Sequence, residues 1–211
     1  MTHRLGFLSA SGLALVGIVY AIAVALGIAE AGFDDPIVDP VLAVMEIVTL
    51  IAAPLVVILM SAVYGYADRE RKTIALASLS FAVLMAGMTS AVHFVSLTWG
   101  RQTGITTLQW PSTLYALELL AWDVFLGLSL VCAAPVFAGP GLNLAARWCV
   151  SITGALCLVG TLGPIIGDMA LQRIGILGYG VALPITCFIL ARVFRRAGMD
   201  RVATSASEQP G

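Results

Sequence analysis

Residues 110–138 read WPSTLYALELLAWDVFLGLSLVCAAPVFA. About 20 helical residues cross the roughly 30 Å hydrocarbon core of a bilayer, and this run is long and apolar enough to do so. It nevertheless carries Glu118 and Asp123 inside the span. A carboxylate at that depth costs about 2.5–3.5 kcal/mol even on the lenient insertion scale, so it needs a partner, a proton or a water-filled cavity. The stretch reads as a membrane helix that holds part of a polar site.

Composition extends that reading to the whole chain. Of 211 residues, 60% are hydrophobic and only 11% charged, where a soluble domain carries about 25% charged residues. The apolar residues fall into six blocks, at 5–29, 37–66, 73–97, 111–138, 144–166 and 174–194. The expected fold is an all-α integral membrane protein, a six-transmembrane helix bundle over residues 1–194 with a disordered cytoplasmic tail at 195–211. Ala29-Glu30-Ala31 mimics a signal cleavage site. The preceding apolar run is longer than the roughly 7–15 residues of a signal core, so it is read as an uncleaved first helix. Pro111 is expected to open the fourth helix, Pro54 to kink the second, and Gly163 and Gly167 to form a GxxxG contact.

Charge gives the expected orientation. With a cytoplasmic N-terminus, Arg4, Arg69, Arg71, Lys72, Arg147, Arg192, Arg195, Arg196 and Arg201 lie inside. Only Arg101 and Arg173 lie outside. This positive-inside bias puts both termini in the cytoplasm. One lysine against ten arginines, with abundant Ala, Gly and Val, points to a GC-rich bacterial genome and hence to the bacterial inner membrane.

That orientation gathers the unusual residues at one side. At about 1.5 Å rise per residue, Glu46 lies roughly 13 Å below the outer edge and Glu118 roughly 10 Å. His93 lies about a turn below the same surface, and Asp123 nearer the midplane. Ala82, Ala86, Thr89, His93 and Ser96 make a small, polar stripe at helical spacing, as do Ala43, Glu46, Thr49 and Ala53. Tyr115, Glu118 and Trp122 share one face. Asp123 is about 140° around the helix from Glu118, so it reads as a structural or secondary acid. Glu118, His93 and Glu46 are the expected catalytic residues, with Tyr115, Trp122, Thr89 and Thr49 around the substrate. Each has a plainer reading as helix-to-helix packing or hydrogen bonding. Asp34, Asp35 and Asp39 read as solvated loop acids near the entrance.

Several chemistries fall away. There is no GxSxG, Walker A or GxGxxG motif, and no HExxH or ExxH spacing for a metal. No cofactor and no metal is expected. Lys72, the sole lysine, lies in a loop and cannot hold a retinal Schiff base. Cys132, Cys149, Cys157 and Cys187 sit in apolar blocks as small core residues. No basic block suggests nucleic acid. The expected partners are membrane lipids and a lipophilic small molecule, with a homodimer as the assembly that would complete a transport path.

Buried acids beside aromatics resemble, in architecture, membrane-bound sterol isomerases and terpene cyclases; no motif of theirs is present. The leading expectation is an intramembrane acid/base enzyme, of isomerase or cyclase type, acting on a lipophilic substrate. The alternatives are a small proton-coupled transporter or carrier, and a non-catalytic membrane subunit.

Overall fold

The computed structural model describes residues 1–32, 37–105 and 108–207, with side chains described as far as residue 200. No strand occurs among the described residues. Six helices are long and apolar enough to cross a membrane: α1 (Thr2–Ala31), α2 (Val41–Tyr66), α3 (Arg69–Thr103), α4 (Thr113–Val136), α5 (Leu142–Ile166) and α6 (Met169–Asp200). The bundle is a multi-pass membrane protein in outline. Asp34 and Asp35 lie outside the described residues.

Most helix ends follow local chemistry. The fourth helix opens at Ser112 rather than at Pro111: the Ser112 hydroxyl accepts the Tyr115 N–H at 3.1 Å, satisfying a free amide of the first turn. Gly139 and Gly141 turn the chain before α5 with φ of 104° and 68°. Asp168 caps α6 through the Ala170 N–H. The last helix is longer than the 174–194 block, with backbone helical through Ser207. The GxxxG expectation shifts by one turn. Gly160 and Gly163 press on Gly175 and Gln172 of α6, whereas Gly167 supplies the left-handed cap that ends α5.

The largest departure is in α3. The sequence places its end near Leu97, but the helix continues through a π-helical turn at Ser96–Gly100 to Thr103. Two more π-helical segments interrupt α4 at Leu120–Leu126 and α6 at Leu177–Ala182. Such insertions re-aim side chains and are frequent at functional sites.

Packing separates the bundle into two halves. Near the end that holds His3, Tyr66, Phe137 and Phe194, the interior is apolar and dense, with these rings in contact. Val56, Leu59, Met60, Met85, Leu126, Leu130 and Leu190 continue that core, each at most 1% exposed. Four of its hydroxyl groups pair between helices. Ser78 and Ser129 each donate to the other's carbonyl at 2.8 and 2.9 Å, and Thr153 meets Thr186 at 2.8 Å. The opposite half buries Glu46, Thr49, Thr89, His93, Asp123 and Gln172. Outward faces carry Leu15, Ile18, Ile22, Trp148, Ile152, Ile185 and Phe188, large apolar groups that suit a lipid surround.

Candidate functional site

α2, α3 and α4 bring the predicted acids and histidine together. His93 Nε2 lies 2.8 Å from Glu118 Oε1, and the Thr89 hydroxyl donates to the same oxygen at 2.8 Å. Trp122 Nε1–H in turn donates to Thr89 Oγ1 at 3.0 Å. An indole N–H can only donate, so the polarity of this chain is fixed. Thr89 accepts from Trp122 and donates its own proton to Glu118 Oε1, while the proton of the His93–Glu118 contact can lie on either partner. Glu118 Oε2 has no hydrogen-bond partner among the described residues.

Glu46 approaches His93 from the other side. Its Oε1 is 3.9 Å from His93 Nδ1, beyond hydrogen-bond reach but close enough for charge to matter. Glu46 is fully buried. Its Oε2 lies 2.6 Å from Arg101 Nη1, an ion pair held by charge rather than by an aligned hydrogen bond. Arg101 also forks onto Asp39, Nε to Oδ2 at 2.9 Å and Nη2 to Oδ1 at 2.7 Å. Arg101 thereby holds the Asp39 carboxyl below the usual carboxylate range, chiefly through these hydrogen bonds. A continuous polar series therefore runs from half-exposed Asp39 through Arg101, Glu46 and His93 to Glu118.

Glu118 ends this series at the wall of a partly open cavity of about 130 Å³. Each wall is one helical face, at spacings of three and four: Leu13, Gly17 and Tyr20 of α1; Thr49 and Ala52 of α2; Tyr115, Glu118 and Trp122 of α4; Tyr179 and Leu183 of α6. α1 closes the space between α2 and α6, its Gly17 lying where a Cβ would come within 2.5 Å of Pro184. Thr49 spends its hydroxyl on the Met45 carbonyl at 2.9 Å, so it offers the cavity mainly a methyl group.

Asp123 stands apart from this series. It is fully buried, with Oδ2 3.4 Å from Gln172 Nε2, and its Oδ1 occupies the space where a Cβ on residue 175 would lie. Gln172 Nε2 also donates to the Tyr179 hydroxyl at 3.2 Å, and the Tyr179 ring packs on Trp122 with centroids 5.5 Å apart. The two carboxylates of α4 thus face different neighbours.

Sequence reasoning missed Arg101, Tyr20, Gln172 and Tyr179. Arg101 lies two turns beyond His93, a spacing that would have placed it on the same face had the helix been read past Leu97. Tyr20 follows Leu13, Val16 and Gly17 on one face of α1, a signal lost in an almost uniformly apolar helix. Gln172 and Tyr179 precede and fall within a π-helical segment, which breaks simple periodicity. No group of three or more His, Cys, Asp or Glu side chains among the described residues is arranged to hold a metal ion. Comparison with known protein families, characterised proteins and solved structures gives no match.

Proposed function

We propose that the protein is an intramembrane acid/base enzyme that isomerises or cyclises a lipophilic substrate, with Glu118 as the proton donor. The observation that carries this reading is Glu118 at the wall of an aromatic-lined cavity, its Oε1 tied to His93 and Thr89 and its Oε2 without a hydrogen-bond partner among the described residues. A proton resident on the His93–Glu118 pair would pass from the Glu118 carboxyl group to one carbon of a substrate double bond. The π electron pair forms the new C–H bond and leaves a carbocation. Loss of a proton from the adjacent carbon to the Glu118 carboxylate moves the double bond and restores the pair. If a second double bond attacks the cation first, the same steps close a ring. Neither course needs an oxidant or a reductant.

Arg101 supports this role indirectly. It pairs with Glu46 at 2.6 Å, and Glu46 Oε1 lies 3.9 Å from His93 Nδ1, so these groups stand in line behind Glu118. Positive-inside bias supports cytoplasmic termini, which would turn Asp39 and the cavity end outward. The composition supports a bacterial inner membrane. A proton-coupled carrier is less well supported, because Val56, Leu59, Met60, Leu126 and Leu130 pack tightly beyond the cavity.

The test uses protein in lipid nanodiscs with a total membrane lipid extract in D₂O. Mass spectrometry should find deuterium entering an unsaturated lipid, at least about 100-fold more slowly with Glu118→Gln, since general acid catalysis contributes roughly 10²–10⁴-fold. Equal incorporation by wild type and variant would exclude Glu118 as the acid.

A further inference from the structure

Tyr20, Tyr115, Trp122 and Tyr179 come from three helices to line the same small cavity as Glu118. Ring faces are electron-rich and attract cations within about 6 Å, most strongly where water is scarce. The charges behind the cavity act in the same direction. Asp39, Glu46 and Glu118 are opposed by the guanidinium of Arg101. With a single proton on the His93–Glu118 pair, the constellation still keeps a net negative charge, and Glu118 is its member at the cavity wall. Its Oε2 has no hydrogen-bond partner among the described residues.

We propose that this cavity binds an organic cation, an aliphatic ammonium head with a lipophilic tail. The proposal rests on the cavity being the ligand site and deepens the reading above, since an ammonium has the charge and shape of the carbocation in the reaction. Size agrees. A dry apolar cavity of about 150 Å³ accepts benzene, and the 130 Å³ here suits a trimethylammonium head of about five heavy atoms. The remaining alkyl chain leaves by the open side, where apolar helix faces adjoin.

The probes are trimethylhexylammonium and its uncharged carbon isostere, 2,2-dimethyloctane, added to wild-type protein in neutral-lipid nanodiscs. Binding is read from the ¹⁹F resonance of 5-fluorotryptophan at position 122, assigned with Trp122→Phe, so that partition into bulk lipid does not count. The ammonium should saturate the shift at about a tenfold lower membrane concentration than the isostere, in the range expected for a desolvated cation–aromatic contact. Glu118→Gln, checked for folding by its thermal transition, should erase most of that preference. Equal or better binding of the isostere to wild type would overturn the proposal, as would no response to the ammonium. Cation preference without deuterium incorporation sinks the enzyme reading alone; incorporation without cation preference sinks this inference alone.

Discussion

Thr89 sits at the narrowest point of the hydrogen-bond chain, accepting from Trp122 and donating to Glu118. Thr89→Val keeps the shape and removes both functions, leaving an indole N–H and a carboxylate oxygen short of partners. A loss of about 1–3 kcal/mol is expected, measured by unfolding in mild detergent, whereas Thr89→Ser should stay near wild type. Asp123 invites a different experiment. Gly175→Ala forces a methyl group onto its Oδ1 and should cost about 1–3 kcal/mol by overpacking. Adding Asp123→Ala should recover part of that loss if the two sites meet as described. These pairings span tens of residues, so no local pattern announces them. The acids themselves were legible, because a carboxylate in an apolar block is conspicuous wherever its partner lies.

The end of α3 shows where element-level reading fails. Hydropathy drops at Arg101-Gln102-Thr103, which suggests a connection; the helix persists because Arg101 reaches both Asp39 and buried Glu46. Removing one member of a buried ion pair strands the other, at a cost of about 3–5 kcal/mol. Arg101→Gln should therefore destabilise by about 3 kcal/mol, and Glu46→Gln in the same chain should restore most of it. Asp39 is half-exposed, so its share is screened and should not exceed about 1 kcal/mol. The sign follows from its lowered folded-state pKa. The contribution is present above the unfolded value near 3.9 and fades as pH falls through the folded one. Denaturation curves of wild type and Asp39→Asn should differ at neutral pH and converge in acid. The π-helical turn that aims Arg101 left no trace in composition or spacing.

At the scale of the whole molecule, six spans and their approximate limits were readable because the bilayer imposes one length and one polarity on each. The polar half was readable too, since alternating helix direction converts residue number into depth. What folding added was the cavity: its walls come from α1, α2, α4 and α6, and only tertiary packing can bring those faces opposite one another. The proposed orientation predicts that an impermeant maleimide labels a cysteine at Gln109 in intact cells, but one at Glu70 only after permeabilisation. The apolar core beyond the cavity, from Val56 to Leu130, has an electrical meaning. If protons arrive by way of Asp39, as proposed, they would meet hydrocarbon-like packing beyond the cavity. On the proposed reading the site would exchange protons with one compartment, and the transmembrane voltage would act on it only over the depth between Asp39 and Glu118. Vesicles containing the protein should hold an imposed pH gradient as long as empty ones, read with an entrapped pH dye.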